Sequence, residues 1–190
     1  MKRTFGPRTW LYPQPAVLVG ALVDGAPNYC AIAWCGQAAS RPPALTVALT
    51  PVRYTLRGIV EHKTFSVNIA SAALAREVDA YGLVSGADHD KAGHLESFFG
   101  KLGTAPMLVC CPASLECRVH SIVEVGSHRL VIGEIVETHF SEEVLTDGNP
   151  DPAKIDPLAY CSSDSSYYRM GERVSRAFKI GEGLIKRRTA

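Results

Sequence analysis

NYCAIAWCGQAASRPPALTVALTPVRYT, residues 28–55, is the stretch on which the reading of the fold turns. It opens with an apolar run, Asn28 to Trp34, and reaches a Ser-Arg-Pro-Pro break at residues 40–43. In Ala44 to Thr50, Leu45, Val47 and Leu49 then alternate with Thr46 and Ala48. That period of two is the pattern of a half-buried strand, and two successive prolines stop any helix before it. The strand runs into Pro51-Val-Arg-Tyr-Thr55, a guanidinium beside two hydroxyls at a strand end. Such a layout suits a phosphate: Arg53 can fork two N–H bonds to phosphate oxygens, and Tyr54 and Thr55 can add hydroxyl donors. Taken alone, the same three residues also describe an edge turn with a solvated arginine.

Working outward, Ala16 to Val23 is a β-branched run ended by Asp24-Gly25. Asp-Gly between two apolar runs predicts a hairpin, because both central residues of a type I′ turn need positive φ. The return strand is Asn28 to Trp34. After Thr55, the spacing of Leu56, Ile59 and Val60 predicts a short helix over 55–62. Phe65 to Ile69 alternates again, with Asn68 on the polar face as a solvent-facing residue or an amide presented to a ligand. A second helix is predicted from Ser71, with Leu74 and Val78 on one face. A polar break spans Tyr81 to Lys91, and Leu95, Phe98 and Phe99 follow at helical spacing. Ser114 to Glu124 and Arg129 to Phe140 form the longest hairpin, turning at Gly126-Ser127-His128. Asp147-Gly148 with Pro150 and Pro152 is a loop, Leu158 to Cys161 a last short strand, and Gly171 to Ile185 a C-terminal segment with a basic end. The fold class is therefore mainly β with short α segments, antiparallel and closed or partly closed into a barrel. No Gly-x-Gly-x-x-Gly follows the first strand, so a dinucleotide-binding fold is unsupported. No internal repeat or low-complexity segment is present.

The bulk properties agree with one ordinary globular domain over residues 1–190. Hydrophobic residues make up 46% and charged residues 21%, and the net charge of +1 gives no electrostatic case for nucleic acid or an anionic membrane. The basic N-terminus has no apolar run behind it, and no apolar stretch approaches the roughly 20 residues of a membrane span. A cytoplasmic protein is expected. The six cysteines (30, 35, 110, 111, 117 and 161) include no Cys-x-x-Cys pair and read as small apolar residues in a reducing compartment.

Few residues suggest chemistry of their own. Asp88-His89-Asp90 with His94 has metal-ligand types but no helix to align them, and it reads as a solvated loop. No Gly-x-Ser-x-Gly is present, and no cysteine has an evident base beside it. His120 and His139 sit within strands as surface residues. His128 differs, because a turn at the tip of a long hairpin can aim a side chain into a neighbouring cleft. An exposed turn histidine is the plainer alternative.

Ten segments occur in one order: YPQPAVLVGA (12–21), PNYCAIAW (27–34), SRPPALTVAL (40–49), VRYT (52–55), FSVNIAS (65–71), GLVSGADHDK (82–91), TAPML (104–108), LECRV (115–119), GSHRLVIGEI (126–135) and DPLAYC (156–161). On these the chain resembles the flavin reductase-like, FMN-binding split-barrel family of the flavoredoxin type, over nearly its whole length. The resemblance implies an antiparallel, Greek-key-like split β-barrel that binds FMN non-covalently, as a homodimer with the flavin near the subunit interface. It implies phosphate contacts at Arg53 and Thr55, with Ser85, Gly86 and Lys91 as further ones. Isoalloxazine and ribityl contacts fall on Asn28, Tyr29, Cys30, Ala31 and Trp34, on Ala39 and Ser40, and on Asn68. His128 matches a Gly-x-His turn near the flavin ring and the nicotinamide pocket and is the candidate catalytic residue. Cys30 stands where relatives often carry methionine or a hydroxyl residue, a difference expected to loosen the flavin or alter its potential.

The residue types agree with that expectation. Flavin chemistry needs cations and hydroxyls for a phosphate dianion, amide groups for the ring edge and a flat apolar wall. Arg53, Lys91 and Thr55 supply the first, Asn28 and Asn68 the second, Trp34 and Tyr29 the third. The expected activity is transfer of electrons from NADH or NADPH through FMN to a flavin or a redox partner protein. The alternatives are a carrier reduced by a partner protein and a flavin- or haem-binding module without turnover.

Overall fold

A computed structural model of the chain describes residues 1–91 and 93–184. The Asp24-Gly25 turn forms as its residue types require: both have positive φ, 50° and 80°. It joins β2 (Val17–Val23), which follows the two-residue β1 (Gln14–Pro15), to β3 (Ala26–Ile32), pairing Val23 with Ala26 and Val17 with Ile32. Strands β4 (Cys35–Ser40) and β5 (Pro43–Leu49) follow, then helix α1 (Thr55–His62) and strand β6 (Thr64–Ile69). Ser71 precedes a short 3-10 turn, Ala72–Leu74, which leads into helix α2 (Ala75–Leu83). Two-residue strands β7 (Ser97–Phe98) and β8 (Met107–Leu108) pair with each other. The spacing of Leu95, Phe98 and Phe99 suggested helix, but Phe98 is drawn instead into this ladder against Met107.

The long hairpin consists of β9 (Ala113–Val125) and β10 (His128–Phe140), with register shifts near Gly133 and Glu137. Such bulges bend a strand pair and increase its twist. Beyond it come β11 (Leu145–Thr146) and β12 (Asn149–Pro150) around Asp147-Gly148, helix α3 (Pro152–Ile155), then β13 (Leu158–Cys161) and β14 (Ser166–Arg169). Ile185, the end of the expected C-terminal segment, lies outside the described residues.

Seven strands form one antiparallel sheet in the order β3-β2-β6-β9-β10-β5-β4. Its two edges, β3 and β4, are consecutive in sequence and joined only by Ala33 and Trp34. The sheet therefore curls until its edges come near each other without pairing, which is a split barrel. At the seam Ala48 N–H donates to the Trp34 carbonyl at 2.9 Å, tying the link to β5. Inside the curl Val17, Val19, Val47, Leu49, Phe65, Val67 and Val131 pack with Leu56 and Ile59, which plug the barrel from α1. A second cluster lies outside the sheet, where Leu18 and Tyr29 meet Val78 and Tyr81 of α2 together with Leu108 and Cys111. β1, β13 and β14 form a small sheet of their own beside it.

Strand β4 was not anticipated. Its sequence, CGQAAS, has no β-branched residue; it is paired on one side only and five of its six residues are exposed. Such an edge strand carries almost no hydrophobic alternation to read.

Candidate functional site

Two cavities meet where β3, β5, the start of α1 and the end of α2 converge, and they share Thr50, Arg53, Gly82 and Leu83. Together they make one groove with chemically different ends. The smaller, about 300 Å³, is polar and lined by Asn28, Cys30, Thr55, Ser85, Gly86 and Lys91. The larger, about 410 Å³, is walled by Ala31 to Trp34, Val78, His128, Tyr160 and Tyr167.

Burial governs the electrostatics of the polar end. Lys91 is only 5% exposed, and its ammonium donates to the carbonyls of Tyr29 (3.2 Å) and Tyr81 (3.0 Å). The Tyr81 hydroxyl in turn donates to the Lys91 carbonyl, closing a clamp on the lysine from both ends. Burial pulls the Lys91 pKa below its ordinary value, and the nearby Arg53 guanidinium pushes the same way. Arg53 Nη1 is oriented by the carbonyl of Gly82 at 3.3 Å. Neither cation forms an ion pair with a carboxylate among the described residues. A buried ammonium held only by carbonyls keeps an uncompensated charge, and an anion placed here would neutralise it.

The neutral groups are arranged around this pair of cations. Asn28 Nδ2 donates to Thr55 Oγ1 at 2.7 Å, so the threonine hydroxyl accepts from the asparagine amide. Burial pushes the Cys30 thiol up, so at neutral pH it stays protonated beside Thr55. At Gly86 a Cβ would lie 1.8 Å from Asn28 Oδ1, so only glycine lets this loop close over Asn28. Ser85 accepts at its hydroxyl from Ala87 N–H (3.2 Å) and at its carbonyl from Asp88 and His89, folding the loop onto the cavity.

At the other end the His128 imidazole stacks on the Trp34 indole, with Nδ1 of His128 2.9 Å from Ser127 Oγ. These two rings come from opposite ends of the chain's β-structure: Trp34 from the seam, His128 from the tip of the long hairpin.

Several expected residues stand elsewhere or point differently. Tyr54 lines the polar end with its ring, but its hydroxyl donates to Asp24 Oδ2 at 2.6 Å and Arg57 lies over the ring. Tyr29 is wholly buried, its hydroxyl joined to Ser97 Oγ at 2.8 Å, so it offers Lys91 a carbonyl and offers the groove no aromatic wall. Asn68 is wholly buried and its amide is fully used: it donates to Leu18 O and Ser66 Oγ and accepts from Leu108 N and Ser114 Oγ. It is a core cross-link between strands, neither solvent-facing nor presented to a ligand. Asn28 sits at the polar end, among the cations. Ala39 and Ser40 lie on the exposed far part of β4 and line neither end of the groove.

Sequence reasoning missed the contributions of Tyr160, Ser165 and Tyr167 to the larger cavity. Leu158 to Cys161 carried a strand signal, but the returning strand β14 (SYYR) did not. It also missed the buried Glu116, whose carboxylate accepts from Lys101 N (3.1 Å), Leu102 N (2.6 Å) and His139 Nε2 (2.6 Å). His139 is therefore a bonded partner of a core carboxylate and no plain surface residue.

A model of the flavin reductase like domain matches residues 9–169. The chain belongs to the flavin reductase-like family. The crystal structure of flavoredoxin from Methanosarcina acetivorans is 37% identical, with a TM-score of 0.94 over 97% of this chain and 100% of that one. Flavoredoxin of Desulfovibrio vulgaris (Miyazaki F) is 36% identical, with a TM-score of 0.90 over 96% and 100%. An FMN-binding protein from Thermus thermophilus, solved with bound p-hydroxybenzaldehyde, is 26% identical with a TM-score of 0.79 over 93% and 98%. An uncharacterised protein of Archaeoglobus fulgidus is 34% identical over 75% of this chain and 80% of its own. Membership of this flavin reductase-like family and the flavoredoxin neighbours support flavin-binding electron transfer. No helix among the described residues is long and apolar enough to cross a membrane.

Proposed function

We propose that the protein binds FMN in this groove and acts as an NAD(P)H-dependent flavin reductase-like oxidoreductase, passing electrons to a second flavin or a protein acceptor. The observation that carries the reading is the pair Arg53 and Lys91, two cations that form no ion pair with a carboxylate among the described residues, at the polar end of a groove whose other end is walled mainly by aromatic and aliphatic side chains. FMN has that polarity: a dianionic phosphate at one end and a flat conjugated ring at the other.

In this assignment Arg53 and Lys91 neutralise the phosphate, while Thr55, Ser85 and the backbone at Gly86 donate to its oxygens. Cys30 and Asn28 shape the floor beneath the ribityl chain. The Ala31–Trp34 backbone and the Trp34 ring face the isoalloxazine, with Val78, Tyr160 and Tyr167 excluding water. When bound, FMN supplies hydride acceptance and electron transfer, chemistry that the side chains do not possess. His128, held by its stack on Trp34 and its contact with Ser127, positions the nicotinamide. The reading includes a homodimer with the flavin near the subunit interface. The setting is cytoplasmic, with no role for nucleic acid or a membrane.

A second reading has an observation of its own. The neighbours with TM-scores of 0.94 and 0.90 are both flavoredoxins, which favours a carrier reduced by a partner protein. One experiment separates the two: the visible spectrum of the purified protein, recorded anaerobically before and after NADH or NADPH. Rapid bleaching of a flavin spectrum supports the reductase. A flavin spectrum that persists removes direct hydride transfer and leaves the carrier. A colourless protein that FMN does not reconstitute overturns both.

A further inference from the structure

A separate cavity of about 380 Å³ lies between the small sheet and one end of the barrel, and it shares only Ala16 with the groove. Val17, Leu45, Val67 and Leu115 line it from the barrel and Leu158 from β13. Among the described residues that line it, none is charged and none is aromatic. Burial raises the Cys35 thiol on its wall to about 11, so that group too is neutral at neutral pH. Gln37 lies at the exposed rim, whereas Gln14 is 6% exposed. Among the described residues nothing donates a hydrogen bond to Gln14 Oε1. A buried oxygen of this kind is ordinarily bonded. Here the nearby donors are missing or committed: Pro13, Pro15 and Pro157 carry no N–H, Ala16 N–H donates to Leu158 O, and Leu158 N–H donates to Ala70 O.

We propose that this cavity binds a neutral aliphatic alcohol, whose O–H donates to Gln14 Oε1 and whose hydrocarbon chain lies on the aliphatic end of the barrel. The volume lies within the ordinary range of small-molecule sites, and their usual composition is an apolar wall with a few polar groups that fix orientation. The last torsion of a glutamine side chain is soft, so Oε1 turns to meet a donor placed in the cavity. The ligand then supplies the hydrogen bond that the surrounding backbone cannot, and its chain leaves water for an apolar surface. A carboxylate is disfavoured, because no cation lines the cavity to offset its desolvation. The absence of aromatic rings favours a flexible chain over a flat ring system.

The test compares octan-1-ol with its isomer di-n-butyl ether, which has the same atoms but no O–H, and with octanoate. Each is titrated into the full-length protein and followed by NMR at methyl groups. Saturable shifts at Val17, Val67 and Leu115 are expected with octan-1-ol, which should bind about 2- to 10-fold more tightly than the ether, the worth of one hydrogen bond. Octanoate should bind more weakly than the alcohol. Gln14→Leu should bring octan-1-ol to the affinity of the ether. If that variant does not fold, the comparison of the two isomers on the parent still decides. Equal affinity of the isomers, tighter binding of octanoate, a preference for the alcohol retained by Gln14→Leu, or shifts at Val78 and Leu83 of the groove in place of those at the barrel end would each overturn the proposal. So would a parent that shows no saturable shift.

Discussion

The imidazole of His128 lies on the indole of Trp34, with ring centroids 4.4 Å apart and planes inclined by 29°. A stack of that kind fixes a histidine that would otherwise swing freely at a hairpin tip. His128→Ala should therefore retain FMN with nearly the parent affinity while reduction by NADH or NADPH slows by about 10–100-fold, the range of a lost positioning or proton-handling group. Stopped-flow reduction beside an FMN titration checks both halves, and equal loss in the two would place His128 in flavin binding instead.

Arg53→Ala removes a guanidinium that Gly82 already orients toward the polar cavity. Loss of a charge-assisted phosphate contact costs about 2–4 kcal/mol, or about 30- to 1,000-fold in affinity. Quenching of FMN fluorescence on binding measures it. An unchanged dissociation constant would remove Arg53 from the phosphate site.

Lys91→Met separates affinity from stability. The buried ammonium makes no ion pair among the described residues, so its replacement by an apolar chain should change unfolding free energy by less than about 1 kcal/mol while FMN binding falls at least about 30-fold. The pH dependence follows the same group. Its folded pKa lies below the ordinary 10.5, so between the two values the unfolded chain binds more protons. Stability of the flavin-free protein should accordingly rise with pH across that window. FMN affinity should fall as the ammonium deprotonates. Lys91→Met should show neither trend in urea titrations run from pH 8 to 10.5.

Gly86→Ala puts a methyl group 1.8 Å from Asn28 Oδ1, and neither atom belongs to a long flexible chain. The loop must move or Asn28 must release Thr55, at a cost of about 1–3 kcal/mol in stability. The variant should also lose FMN affinity. Thermal unfolding and FMN titration of the same preparation would show whether the two losses occur together.

Glu116 is fully buried and holds two backbone N–H groups besides His139. Glu116→Ala strands those donors and should cost about 3–5 kcal/mol. His139→Ala leaves the carboxylate with its backbone donors and should cost less. Urea midpoints of the two variants give the order, and a reversed order would mean that the imidazole anchors the region.

Some of this was legible beforehand because the signals were local. Asp24-Gly25 needs positive φ, and Thr55 to His62 shows helical spacing, so the first hairpin and α1 stand where expected. At the cationic end Arg53 carried a local signal, a guanidinium beside two hydroxyls at a strand end, whereas Lys91 was indicated by the family resemblance. What failed depended on tertiary partners. Asn68 looks like a solvent-face residue until Leu18, Leu108 and Ser114 surround it, and the carboxylate of Glu116 is explained only by amides some 15 residues away. Strand β4 exists because β5 offers a ladder, and nothing in its own residues announces it.

Ala33 and Trp34 both bridge the seam of the barrel and form one wall of the groove. Any change that reshapes that wall also loosens or tightens the closure of the sheet. Selection at these two positions acts on recognition and on fold integrity at once, so variation in specificity is expected to settle on the opposite wall of the groove, along β13 and β14, which lie outside the seam.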